Sequence, residues 1–452
     1  MSLITRPPHP IPNPFSLILQ THPEKVPEYL NLSHPMDPKG RYLHYEDWRF
    51  RLPKGLDATL AWSVIKDARN RYLAPAITLG DPAVCCRYLY TPAMHLAVSS
   101  CDQQTTTAAL EWMCSNIGEN KHLQYLLNDL IEDEAISSSQ LEGAATTTKA
   151  AKELLKKKKG PRSVDEKMII GNFRMMSFAW DNRDKPLTPE LIQELHQVGV
   201  EGIDDDKYCP GAFKNSDDVV IEGLGEIVHQ PPPVAGLETR LQALCDWINK
   251  NNTDALSKDY MHPLIKAIIL HFAIGFEHPF QDGNGRVARS LFYWFMFKKG
   301  FSAFRYIAIS TLLKAAPIQY GKSYLYTETD DMDLTYFLDY QCRVITRSIS
   351  RFKNTYDKAI ASIAQFNVFL YQSGLFAKLS EKQRVVFNVA RQGVASEFTV
   401  TNVKDNLKCA YNTAAAALNG LVELGLFQKQ KLGNEWVYSM NNTDHIMKSW
   451  KP

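Results

Sequence analysis

Two apolar runs, Ala267–Phe276 and Leu291–Phe297, stand on either side of a glycine-rich stretch, Gly283-Asn284-Gly285. Each falls short of the roughly 20 residues needed to span a bilayer. They predict helices over Pro263–Phe276 and about Arg286–Lys299, apolar enough to be buried on most sides. A chain that must bury two such helices and hold a glycine loop between them is committed there to a mainly helical core.

The loop also carries reactive groups: His278-Pro279-Phe280-Gln281-Asp282-Gly283-Asn284-Gly285-Arg286-Val287-Ala288-Arg289. Gly283 and Gly285 let the backbone approach an anion closely and take positive φ. They precede a helix, whose free N–H groups and positive dipole end favour phosphate. Asn284 can donate side-chain hydrogen bonds to a phosphate oxygen. Arg286 and Arg289 are three apart, share a helix face and can fork onto further phosphates. Asp282 is a hard oxygen ligand suited to Mg²⁺ that bridges phosphates. His278 has the ordinary pKa of a general base at neutral pH. Together these groups suit transfer of a phosphorus centre.

Rival patterns fail on context. Gly283-Asn284-Gly285-Arg286-Val287-Ala288 spells the dinucleotide fingerprint, but a helix precedes it and Ser290–Phe304 contains no acid. His271 and His278 lack a third ligand at a familiar spacing, so His271 is assigned to the core. Gly321-Lys322-Ser323 would need a glycine where Ala316 stands to complete a P-loop. The eight cysteines form no C-x-x-C pair, which argues against a zinc knuckle and for reduced thiols in a cytoplasmic protein. With 51 Lys+Arg against 49 Asp+Glu the chain as a whole is not a polybasic nucleic-acid binder.

Elsewhere the pattern divides the chain. Residues 1–120 open on a proline-rich strap and read as an N-terminal domain of unknown role. His122–Leu141 is periodic and helical, and Lys149–Arg174 is basic, with Lys156–Lys159 a solvated face or an acidic-partner dock. Thr188-Pro189-Glu190 starts a helix. Val219–Ile221 and Glu226–Val228 flank Gly223-Leu224-Gly225 as a hairpin. Residues 375–452 predict three helices and a hairpin around Gly433-Asn434, the winged helix-turn-helix plan. That segment holds 10 Lys+Arg and 6 Asp+Glu, but its third helix, Tyr411–Leu424, which would be the recognition helix, offers Asn412, Thr413 and alanines rather than arginine. DNA contact and a protein-docking or dimer-forming role both stay open.

The string from His278 to Arg289 resembles the signature of Fic domains at every defining position. The resemblance spans about residues 120–345 and implies a Fic helical core over 121–350, with a β-hairpin flap at 217–229. It implies transfer of AMP from ATP to a Ser, Thr or Tyr hydroxyl of a target protein, or of the chain itself, in the absence of a membrane. His278 would deprotonate that hydroxyl, Asp282 would hold Mg²⁺, and Gly283, Asn284 and Gly285 would form the anion hole. Arg286 and Arg289 would hold the outer phosphates. Doc-like kinases carry lysine where this chain has Gly285, which argues against plain phosphorylation. Ser138-Ser139-Gln140-Leu141-Glu142-Gly143 resembles the Fic inhibitory signature, in an inhibitory helix over 122–143. Ser138 and Glu142 are expected on one helix face, with Glu142 pairing with Arg289 in place of the γ-phosphate. Tyr320 and Tyr324 are expected near the nucleotide or in ordinary packing. Removal of AMP through a water held by Glu142, and a DNA-binding regulator, are the competing functions.

Overall fold

The computed structural model describes residues 4–117, 132–157, 160–203, 208–223, 226–252, 259–392, 395–432 and 435–450. Its centre is the pair of apolar helices, Pro263–Glu277 and Asn284–Lys298. Pro263 opens the first at a position where its missing N–H costs nothing, and the His262 ring caps the N–H of Leu264. Both helices are buried nearly all round, as their even hydrophobicity requires. Val164–Asp181 and Pro189–Val200 pack against Asn284–Lys298. Thr188 caps the second of these through the N–H of Leu191. The two meet at glycine: a Cβ built on Gly171 would overlap the carbonyl of Gly199.

Three antiparallel hairpins complete the described residues. The hairpin expected as a flap pairs Ile221–Gly223 with Glu226–His229 in the register Ile221↔His229 and Gly223↔Glu226. Its first strand starts later than the Val219 expected from β-propensity. The carboxylate of Asp217 accepts the N–H of Val234, and the Asp217 carbonyl accepts Gln230 Nε2, so the chain turns there before pairing begins. The hairpin Ala74–Leu79 with Val84–Tyr88 was not anticipated, because Pro75 and the Gly80–Pro82 turn break the alternation.

By compactness the chain forms two units, Met1–Thr107 with Leu130–Ser350, and Ala108–Asp129 with Arg351–Pro452. The sequence pattern separates residues 1–120 from 121–350; in the first unit the two segments share a buried polar core. Lys66 pairs with Asp330 at 2.8 Å, Arg69 donates to the Tyr336 hydroxyl at 2.7 Å, and Tyr42 donates to Asp333 at 2.5 Å. Such pairs lie more than 200 residues apart and leave no trace in composition. The second unit begins before 375 because Thr335–Gln372 is one continuous helix with no linker to mark a boundary.

The second unit holds the helices Glu381–Arg391, Val400–Leu407 and Tyr411–Glu423, then the hairpin Phe427–Leu432 with Glu435–Met440. Ser380 and Gln383 form a reciprocal capping box at the first. Phe398 bridges to Tyr438 beside the hairpin, over a core that includes Phe387, Leu418 and Leu426. Gly433 and Asn434 lie outside the described residues, as do Lys158 and Lys159 of the lysine run and residues 122–131 of the expected inhibitory helix. Among the described residues, no helix is long and apolar enough to cross a membrane.

Candidate active site

His278 ends the Pro263–Glu277 helix in a left-handed conformation, φ 47°. Its Nδ1–H points at the carbonyl of Gly275, 3.3 Å away, which leaves Nε2 as the lone-pair nitrogen. Burial pushes its pKa down to about 4, with a smaller push from the basic side chains nearby. The ring is therefore neutral at pH 7 and able to take a proton.

The loop after it is held by its own backbone. Asn284 Oδ1 accepts the N–H of Phe280 and Asn284 Nδ2 donates to the Phe280 carbonyl, both at 2.8 Å. The side chain expected to donate to phosphate is thus spent on closing the loop, and what Asn284 offers an anion is its main-chain N–H at the helix start. Gly283 supplies the tight entry with φ 85°, and its N–H bonds Asp282 Oδ1 at 2.5 Å.

Several residues that steady this loop were not singled out in the sequence. His196 stacks on Phe280 with centroids 3.8 Å apart. Its Nδ1 accepts from the N–H of Gly211, so Nε2 carries the proton donated to the Asp282 carbonyl at 3.0 Å. On the other side, the main-chain N–H of Lys214 bonds Pro279. Lys214 Nζ reaches the Pro232 and Glu277 carbonyls, His229 Nε2 faces the Phe276 carbonyl at 2.8 Å, and Arg240 Nε pairs with the Glu277 carboxylate at 2.8 Å. Three basic side chains thus converge on the C-terminal end of one helix, where the dipole favours them. No local spacing links them to His278.

The arginines differ in their partners. Arg286 is fully buried; its Nη1 donates to the Gly199 carbonyl at 3.2 Å, while Nε and Nη2 have no hydrogen-bond partner. A buried guanidinium with orphan donors is costly unless an anion joins it. Arg289 is engaged through two of its nitrogens: Nε donates to Ser138 Oγ at 2.8 Å, and Nη2 donates to the Ser138 carbonyl at 3.1 Å and to Glu142 Oε1 at 2.7 Å. Burial alone would raise the Glu142 pKa, but the charge and hydrogen bond of Arg289 outweigh it and hold the carboxyl below its usual range. The pair therefore stays ionised at neutral pH and loses its contribution only as pH falls through that lowered value.

Ser138 and Glu142 do not share a helix. The described helical segment is 132–141, and Gly143, φ 95°, turns the chain immediately after it. Glu142 reaches Arg289 from that turn. Upstream, Glu134 accepts from the N–H and hydroxyl of Ser310 at 2.8 and 2.5 Å and seats the segment. Tyr320 donates to or accepts from His271 Nε2 at 2.8 Å, and burial pushes His271 down to about 3. With the ring neutral, this contact belongs to the site wall. Tyr324 packs on Gly275, where a Cβ would come within 2.6 Å of its hydroxyl.

Gly285 lies directly beneath the ion pair. A Cβ there would overlap Glu142 Oε1 and come within 3.0 Å of Arg289 Nη1. Gly285→Ala is expected to displace the Glu142 carboxylate, so its effect on stability should not add to that of Glu142→Ala. A thermal double-mutant cycle should return a coupling of about 1 kcal/mol.

A single carboxylate such as that of Asp282 is the kind of ligand that a Mg²⁺ ion shared with phosphates takes. Asp282 supplies one carboxylate beside the orphan donors of Arg286, and no group of three or more His, Cys, Asp or Glu that could cage a metal occurs among the described residues.

Residues 186–296 match the Fic/DOC family. The chain is 39% identical over 75 residues to the protein adenylyltransferase Fic of Nematostella vectensis, a match covering 16% of each chain. It is 30% identical over 115 residues to the protein adenylyltransferase Fic of Drosophila willistoni, covering 25% of this chain and 20% of that one. The matched stretches therefore span a fifth or less of these relatives' lengths. In fold, 78% of the chain superposes on 98% of a Fic family protein from Desulfovibrio desulfuricans G20, with a TM-score of 0.52 at 15% identity.

Proposed function

We propose that this chain, which carries a Fic domain over residues 186–296, transfers AMP from ATP to a hydroxyl of a target protein or of itself. The observation that carries the proposal is the placement of two arginines beside a neutral histidine: Arg286 has orphan donors, and Arg289 is covered by a carboxylate. A triphosphate would satisfy the first and displace or bypass the second.

In this scheme His278 Nε2 accepts the proton of the acceptor hydroxyl. The freed oxygen bonds the α-phosphorus as the bond to the bridging β-oxygen breaks, and pyrophosphate leaves. The main-chain N–H groups of Asn284 and Gly285 at the helix start would face the phosphates, while that of Gly283 is taken by Asp282 Oδ1. Asp282 would hold Mg²⁺, which supplies charge neutralisation for the leaving phosphates. The flap strand Ile221–Gly223 offers main-chain groups to an extended target segment. His229 ties the base of that flap to Phe276, two residues before His278, so a paired segment is presented at a fixed distance from the base.

Glu142 restrains the reaction by occupying the Arg289 donors intended for the γ-phosphate. ATP that binds without them holds its α-phosphorus out of line, so the restraint acts on orientation more than on affinity. Mass spectrometry of the Glu142→Gly chain after incubation with ATP and Mg²⁺ tests the chemistry. One AMP on a Ser, Thr or Tyr hydroxyl is expected; a phosphate there instead would assign the site to kinase chemistry.

A further inference from the structure

Away from the loop that carries His278, the N-terminal segment of the first unit encloses a groove of about 980 Å³. That lies at the upper end of ordinary ligand pockets. Its floor is apolar, formed by Met36, Leu43, Trp48 and Ile65. Its rim is cationic: Lys39, Arg41 and Arg51 stand against one carboxylate, Asp37. Asp37 neutralises Arg41 at 2.5 Å, whereas Lys39 and Arg51 are exposed.

The lining does not suit a nucleotide. It contains no helix start aimed inward, and its buried cation, Arg69, is already satisfied by the Pro35 and Leu43 carbonyls and the Tyr336 hydroxyl. An extended polypeptide with apolar anchors and acidic flanks matches both floor and rim. The groove and the flap share one packing cluster. Met36 lines the groove and packs on the cluster of Tyr42, Leu325, Tyr326 and Tyr336, and flap residue Val228 packs on that same cluster.

We propose that this groove docks an acidic, apolar-anchored segment of the protein that the chain modifies, away from the acceptor hydroxyl itself. The proposal rests on the protein-modifying reading above. Binding by the groove would hold a target near the flap and would give the enzyme a selectivity that main-chain pairing at the flap cannot supply.

The test is fluorescence anisotropy with the full chain and no ATP. The probe is a short labelled peptide with a central Phe-Leu pair between runs of glutamate, compared with its lysine counterpart. The acidic peptide should bind more tightly, with affinity falling as salt rises. Lys39→Glu combined with Arg51→Glu should weaken it by about fivefold or more, since each reversal replaces an attraction with a repulsion. Both side chains are exposed, so the fold should be preserved. The proposal is overturned if the two peptides bind alike or the reversals change nothing. It is equally overturned if a duplex oligonucleotide takes the site with the same charge dependence, or if sedimentation shows a dimer that the reversals disperse. A chain that transfers AMP but ignores the acidic peptide sinks the groove alone. A chain that binds the peptide but transfers nothing sinks the catalytic reading alone.

Discussion

Glu142→Gly is expected to label protein from α-labelled ATP on the order of a hundredfold faster than the parent chain, the scale set by a misplaced reacting group. The expectation comes from the partners of Arg289. In the present arrangement its Nε and Nη2 are committed to Ser138 and Glu142. Removing the carboxylate leaves the Ser138 contacts and frees the remaining valence for a γ-phosphate, a bidentate partner that arginine suits. The glycine also removes the carboxylate that a Cβ on Gly285 would meet. Because a buried guanidinium loses its counter-ion, the unliganded variant should be less stable, and ATP should restore more stability to it than to the parent. Faster labelling without that added thermal response to ATP would point away from Arg289 as the receiving group.

His278→Ala, placed in the Glu142→Gly background, is expected to remove labelling by about a hundredfold to ten-thousandfold, the range of a lost general base. The structure gives this side chain a fixed tautomer through Gly275 and a neutral ring at pH 7. ATP affinity should change little, because in the proposed scheme the arginines and the helix start, not His278, hold the phosphates. A binding measurement with unreactive ATP analogue separates the two effects. Near-normal transfer after loss of the imidazole would require another proton acceptor, and the described neighbours Lys214 and His229 are committed to main-chain carbonyls instead.

The sequence exposed the parts of this site that are contiguous. One short string contains the base, the glycine turn, the carboxylate and both arginines, and the helices on either side follow from apolar content alone. Capping was equally plain at Thr188 and Ser380, where the side chain acts on the next turn. What escaped was contact at long range. His196 steadies Asp282 across 86 positions and Glu134 bonds Ser310 across 176, and nothing local distinguishes either from an ordinary polar residue. Asn284 shows a subtler gap: its amide is correct for phosphate by chemistry, but the loop geometry turns it onto Phe280. Glu142 was expected on the face of a helix and sits in the turn that Gly143 makes. The same glycine was in view in the sequence; its positive φ explains why the helix stops before the glutamate.

The most direct test compares the parent chain, Glu142→Gly and the Glu142→Gly, His278→Ala double variant, each incubated with Mg²⁺ and either α-labelled or γ-labelled ATP. Strong protein labelling is expected in one combination only, Glu142→Gly with the α-label, with weak labelling of the parent and none above background from the γ-label. Equal α-labelling of parent and Glu142→Gly would contradict the restraint by Glu142, and protein labelling by the γ-phosphate would contradict AMP transfer itself.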